Sequence, residues 1–73
     1  MKSMSEDLKK MDENSAKTML HHWIEHNESH SKSFRERAGQ VRAISEKAAQ
    51  DINDAADLMD KCTQMLKKAV QDL

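Results

Sequence analysis

Apolar and small residues recur along the second half of the chain at alternating intervals of four and three. The series runs Ala48, Ile52, Ala55, Met59, Cys62, Leu66, Ala69 and Leu73. This spacing lines up side chains on one face of a helix, and its seven-residue period is typical of supercoiled helices. The pattern predicts a helix over residues 41–72. Small residues at every seventh position would let a second helix approach closely.

A second stripe runs beside the first on the same predicted helix. Its members are Ile44, Asp51, Leu58 and Met65. Two adjacent stripes make a face wide enough for two neighbouring helices, which favours a four-helix bundle over an isolated hairpin. Asp51 is the exception, because a charge occupies a position where the repeat calls for an apolar side chain.

The first half of the chain repeats the same spacing. The series is Ala16, Leu20, Trp23, Asn27, His30, Phe34, Arg37 and Val41. It predicts a helix over residues 15–38, with Trp23 and Phe34 completing the packing stripe. Gly39, the only glycine, follows two arginines, as at the end of many helices. We therefore expect a tight turn at Gly39–Gln40, with one unbroken helix as the alternative.

Together these patterns predict an all-α fold in two parts. Residues 15–73 would form an antiparallel hairpin of helices 15–38 and 41–72, and residues 1–14 an N-terminal arm or short helix. A monomer would leave a long apolar patch exposed, so we expect two hairpins to associate as a homodimeric four-helix bundle. A different protein partner is also compatible with the pattern.

The polar residues inside the apolar stripes suggest a cluster. In a hairpin that turns at residues 39–40, His30 would face about residue 50 and Asn27 about residue 53. The expected cluster consists of Asn27, His30, Asp51 and Asn53. Because buried polar groups without partners each cost about 1–3 kcal/mol, we expect these side chains to bond to one another and fix the helix register.

A metal site is the alternative interpretation of the histidines. His22, His26 and His30 follow one another at intervals of four, so they form a ridge on one helix. The first and last lie about 12 Å apart along the axis, so a single ion could be held by only two of them. Asp51, Asp54, Glu25 or a second subunit would complete the site, and zinc, nickel or copper would suit these ligands. No other cofactor is expected.

A catalytic interpretation is weaker. The segment "HWIEH" matches the H-x-x-E-H zinc-peptidase signature, in which two histidines bind zinc and the glutamate is the general base. A short helical chain offers no sheet to hold a substrate, and Glu25 points away from the stripe on a helical wheel. We therefore expect a protein that is not an enzyme.

Charge and composition exclude other classes of function. Twelve Lys and Arg residues are interspersed with thirteen Asp and Glu residues, for a net charge of −1. The absence of a basic face argues against nucleic acid and anionic membranes as partners. Apolar runs are far shorter than the ~20 residues that span a bilayer, so we expect a cytoplasmic protein. A single cysteine excludes a disulfide within the chain.

The segment "LHHWIEHNESHSKSFRERA" also carries a resemblance. It is similar to a segment of small helical prokaryotic proteins of uncharacterised function, with the pattern L-x-H-W-I-E-H-N-x-x-H-x-x-x-F. The matching residues are His22, Trp23, Ile24, Glu25, His26, Asn27, His30 and Phe34. The resemblance implies a helical hairpin, and it implies no particular activity, substrate or cofactor.

Overall fold

A computed structural model of the chain describes residues 11–73. Within this range the chain forms two helices, α1 (Glu13–Val41) and α2 (Glu46–Gln71), which pack against each other along their lengths. The predicted all-α hairpin is confirmed. The predicted N-terminal arm over residues 1–14 falls mainly on residues 1–10, which lie outside the described residues. Pairing into a four-helix bundle stays a prediction.

Each helix begins at a side-chain cap. Asp12 has an extended backbone, and its Oδ1 accepts a hydrogen bond of 2.7 Å from the backbone N–H of Ser15. Ser45 does the same for α2, where its Oγ accepts from the backbone N–H of Ala48 at 3.1 Å. These oxygens satisfy N–H groups that have no partner within the first turn of a helix. The bond from Ser15 also lowers the pKa of Asp12, because it stabilises the carboxylate.

The turn between the helices lies further along the chain than Gly39 predicted. α1 continues through Gly39 and Gln40 to Val41, and residues 42–45 connect the two helices. Gly39 has no positive φ angle, and Arg42 ends α1 in a right-handed helical conformation. This ending needs no left-handed residue, so the glycine is not a helix terminator here. The decisive signal is Ser45, whose cap starts α2 five residues later than predicted.

Replacing Gly39 with alanine is expected to stabilise the protein. A Cβ built on Gly39 meets no other atom within 4 Å, and the helical backbone suits alanine. Alanine loses less conformational entropy on folding, so the free energy of unfolding should rise by about 0.5–1 kcal/mol. Equilibrium unfolding in urea measures the change, with Gln40→Ala as the neighbouring control. A lower stability for Gly39→Ala would show that the backbone is not helical at this position.

Small side chains make up much of the contact between α1 and α2. The buried apolar residues are Leu20, Ile24, Ala38, Ala49 and Ala56. Ser31 and Thr63 are buried with them, and the Thr63 hydroxyl donates to the carbonyl oxygen of Met59 at 3.0 Å. Because these side chains are short, the two helices pack closely but bury little apolar volume.

Several residues that are buried between the helices lie one position later in the chain than the predicted ones. On α2, the small residues that face α1 are Ala49, Ala56 and Thr63, whereas Ala55 and Cys62 of the predicted row are exposed. On α1, Ile24 is buried in place of Trp23, which is 45% exposed. The predicted residues Ala48, Ile52, Met59, Leu66, Ala69 and Phe34 are partly buried. Neighbouring rows share the same period, so spacing alone did not separate them.

None of the helices in residues 11–73 combines the length and apolarity that a membrane span requires. The cytoplasmic location stays a prediction.

Candidate functional site

One side of the hairpin is held together by charged groups from both helices. Arg35 Nη2 lies 2.9 Å from Asp57 Oδ1 and 2.6 Å from Asp60 Oδ2. Further towards the ends of the helices, Lys67 Nζ lies 3.4 Å from Glu28 Oε2. We call this side the ion-paired face. Its salt bridges cross from α1 to α2 and help to fix the register of the hairpin.

The buried hydroxyl of Ser31 joins this network. Its Oγ donates a hydrogen bond of 2.5 Å to Oδ1 of Asp60. The bond from Ser31 and the bond from Arg35 together hold the pKa of Asp60 below its usual range, since both stabilise the carboxylate. The pKa of Arg35 is raised by the bonds it donates to Asp57 and Asp60. Arg35, Asp57 and Asp60 on this side are therefore paired within the chain.

The other side of the hairpin exposes large apolar side chains. Leu58 is 66% exposed, Met65 73% and Ile44 88%. They are separated by multiples of seven residues, so they lie in one row along α2, with Ile44 just before the helix begins. Trp23 of α1 is four residues before Asn27, which contacts Cys62 of α2, so Trp23 lies on the same side. We call this surface the apolar face, and it consists of Trp23, Ile44, Ala48, Ala55, Leu58, Cys62, Met65 and Ala69.

Cys62 connects the two helices at the middle of the apolar face. Asn27 Nδ2 lies 3.5 Å from its Sγ, which makes a weak hydrogen bond between α1 and α2. The thiol is free and exposed. The predicted small row, Ala48, Ala55, Cys62 and Ala69, therefore runs along the apolar face beside the contact with α1. A second helix could approach α2 closely along this row.

The three predicted histidine ligands form a ridge at the edge of the apolar face. Nε2 of His26 and Nε2 of His30 are 2.8 Å apart, and their ring centroids are 4.4 Å apart. The ring of His22 is further away, 6.3 Å from that of His26 between centroids. All three rings are exposed. The ridge predicted from the spacing is present, and its closest pair is His26 with His30.

The predicted cluster of Asn27, His30, Asp51 and Asn53 does not assemble within one chain. Ser31 contacts Asp60, so His30 lies level with this part of α2 and about 14 Å along the axis from Asp51. The prediction is wrong because the turn lies at residues 42–45 rather than 39–40, which shifts the facing residues of α2 towards its C-terminus.

The predicted aspartate ligands have other partners. Asp51 Oδ1 lies 3.2 Å from Lys47 Nζ, and Asp54 Oδ1 accepts a hydrogen bond of 2.9 Å from Gln50 Nε2. Both are contacts between residues four apart on α2. Residues 11–73 contain no group of three or more His, Cys, Asp or Glu side chains placed to hold a metal ion. The hairpin therefore brings together two of the predicted ligands, His26 and His30.

The ion-paired face was missed by the sequence analysis. Ser31 and Arg35 are four residues apart on α1, and Asp57 and Asp60 are three apart on α2. Each pair therefore lies on one helix face. The hydroxyl of Ser31 and the positive charge of Arg35 are suited to the carboxylates of Asp57 and Asp60. This signal could have been used to test the register, because a turn at residues 39–40 does not bring the two pairs together.

Comparison with known proteins identifies a family. The model of a family described as "Domain of unknown function (DUF8180)" matches residues 16–73, which is nearly all of the described chain. The chain belongs to this family. An uncharacterized protein of Archaeoglobus fulgidus is 33% identical over 52 residues, which cover 71% of this chain and 84% of the archaeal protein. No solved structure matches the chain.

The DUF8180 match agrees with the resemblance to small prokaryotic proteins of uncharacterised function. It covers both helices, from the first turns of α1 to the end of α2. That the histidine segment is a signature of DUF8180 domains stays a prediction.

Proposed function

We propose that this DUF8180 domain is a non-enzymatic self-association module, in which two hairpins bury their apolar faces against each other as a four-helix bundle. The observation that carries the proposal is the exposure of Leu58, Met65, Ile44 and Trp23 on one side of the hairpin. Isolated exposed apolar residues are ordinary on protein surfaces, but several on one side of a small domain indicate an interaction surface, even though Asp51 interrupts the row between Ile44 and Leu58.

The small core of the hairpin supports the proposal. Leu20 and Ile24 are the only long aliphatic side chains among the buried residues of 11–73. Complete burial of a Leu, Ile or Met side chain contributes about 1.5–3 kcal/mol, so the exposed Leu58, Ile44 and Met65 represent apolar surface comparable to the core itself. A chain of this size commonly needs such a contribution from a partner subunit.

The contrast between the two faces supports association in a closed pair. The ion-paired face has satisfied its charges within the chain, through Arg35, Asp57 and Asp60. The apolar face of residues 11–73 is then the better surface for association, because a second copy that covers it leaves these ion pairs in water. If the two subunits are related by two-fold symmetry, each covers the apolar face of the other, so the assembly ends at a dimer.

Sedimentation equilibrium of the untagged protein over a range of concentrations tests the proposal. We expect a dimer that dissociates on dilution. Adding peptide or nucleic acid to the sample should not change its mass. A monomer at every concentration, including the highest one, would contradict the proposal.

A second candidate function is the binding of a divalent transition metal, which the geometry of His26 and His30 favours. Their Nε2 atoms are 2.8 Å apart, and two imidazole nitrogens that bind one zinc ion at 2.0–2.1 Å lie about 3.3 Å apart. A small change of side-chain torsion would therefore form a two-ligand site. Exposure of both rings leaves room for water or a further protein ligand.

Isothermal titration with zinc, nickel or copper ions alone tests this candidate. We expect binding that is lost in His26→Ala and in His30→Ala. His21→Ala, on another side of α1, is the control and should bind as the wild type does. Absence of binding by the wild-type protein, or unchanged binding in both single variants, would contradict a site at this pair.

A further inference from the structure

We infer that the two hairpins of the dimer pair with their turns at the same end, so that α2 of each subunit packs against α1 of the other. The two-fold axis then runs parallel to the helices. This inference rests on the proposed function and specifies the geometry of the same interface. It follows from the order in which charged and apolar residues occur along the apolar face.

The contacts within the hairpin show which residues lie at the same height. Asn27 contacts Cys62, and Arg35 contacts Asp57. Continuing from these pairs, Trp23 lies within about one helical turn, 5.4 Å, of the height of Met65. Arg37, nearer the turn, lies within about one turn of the height of Asp51.

The side of the hairpin that carries the apolar face therefore has a charged level and an apolar level. Ile44, which precedes α2, lies still nearer the turn than the charged level. Near the turn, Asp51 of α2 is level with Arg37 of α1, and both side chains are exposed. Near the opposite end, Met65 of α2 is level with Trp23 of α1, and these are 73% and 45% exposed. Along the helix axes, His30 and Leu58 lie between the charged level of Asp51 and Arg37 and the apolar level of Met65 and Trp23.

The direction of the two-fold axis decides which levels meet. With the axis parallel to the helices, each level meets the same level of the other subunit, so Asp51 lies beside Arg37 of the partner subunit. Met65 then packs against Trp23 of the partner subunit. With the axis perpendicular to the helices and the hairpins fully overlapped, the charged level would meet the apolar level. Asp51 is paired within its own helix with Lys47, at 3.2 Å, and this arrangement would bury that exposed ion pair against apolar side chains. Removing an ion pair from water is unfavourable, so the parallel axis is the better match.

The distance between the two turns distinguishes these arrangements. Ala43 lies in the turn and is exposed, so it can carry a nitroxide label as Ala43→Cys in a Cys62→Ser background. Pulsed electron spin resonance should give a distance between the two labels below about 30 Å. Turns at opposite ends would be separated by the length of a helix of 29 residues, which is about 40 Å.

A charge exchange tests the pairing of Asp51 with Arg37 of the partner subunit. Asp51→Arg and Arg37→Asp should each weaken dimerisation by about tenfold or more, because each sets two like charges together. The double variant should recover most of the wild-type affinity. Gln50→Arg combined with Arg37→Asp is the control and should not recover it, since the exposed Gln50 lies about 100° from Asp51 around α2.

The results separate the geometry from the proposed function. A dimer with labels about 40 Å apart, or a double variant as weak as the two single variants, would overturn the inferred geometry and leave self-association intact. A wild-type protein that sediments as a monomer would overturn both. A short distance between labels together with recovery in the double variant would support both.

Discussion

Replacing Leu58 with glutamate is expected to turn the proposed dimer into a monomer. Leu58 is 66% exposed in one hairpin, and it lies at the centre of the apolar face. Losing the burial of a leucine costs about 1.5–3 kcal/mol per subunit, and both subunits of the dimer carry the substitution. Since about 1.4 kcal/mol corresponds to a factor of ten, dimerisation should weaken at least 100-fold. Burial of the new carboxylate adds to this effect.

Sedimentation equilibrium gives the dissociation constants, and far-ultraviolet circular dichroism reports whether the helices remain. Gln64→Glu is the matched control, because it introduces the same residue on the same helix at the heptad position of Asp57, on the side of the ion-paired face. It should dimerise nearly as the wild type does. If the monomeric hairpin is unstable alone, Leu58→Glu will also lose helicity on dilution. A Leu58→Glu protein that dimerises as tightly as Gln64→Glu would show that the apolar face is not the interface.

Replacing Ala56 with leucine is expected to destabilise the hairpin itself. Ala56 is fully buried where α2 meets α1, and Ala49 is equally buried one heptad earlier. Additional carbon atoms at this position would force the helices apart or distort side chains, which typically costs about 1–3 kcal/mol. Because the protein buries few large side chains, this loss would be a considerable part of its stability.

Urea unfolding at a fixed protein concentration measures the loss. Gln64→Leu introduces the same side chain at an exposed position on α2 and should change the free energy of unfolding by less than about 0.5 kcal/mol. Equal effects of the two substitutions would mean that Ala56 is not packed against α1. A smaller side chain at this position is not expected to help either. Ala56→Gly should also lower the free energy of unfolding, because glycine destabilises a helix interior.

The main elements were predictable because their signals are local and strong. Period and spacing identified both helices, and the absence of strand-forming patterns identified the all-α class. The positions of Leu20, Phe34 and Val41 on the buried side of α1 also followed from the spacing. The turn was misplaced because Gly39 resembles a helix terminator, while the cap at Ser45 was not weighed.

The candidate site was predicted only in part. The ridge of His22, His26 and His30 depends on one helix, so the spacing gave it directly. The cluster with Asp51 depended on the register between two helices, and an error of a few residues in the turn moved Asp51 away from His30. Contacts between distant segments are sensitive to such errors, whereas contacts four residues apart are not.

The amino-acid sequence by itself determined two amphipathic helices, an antiparallel hairpin and an excess of apolar surface on α2. Periodicity determines these features because each depends only on residues within a few turns. The tertiary structure alone decided that Ala49, Ala56 and Thr63 face α1, while Ala55 and Cys62 do not. The sequence could not separate these two adjacent rows of α2, because they have the same period. The choice between them depends on how closely the whole of α1 can approach α2. It also depends on the salt bridges of Arg35 with Asp57 and Asp60.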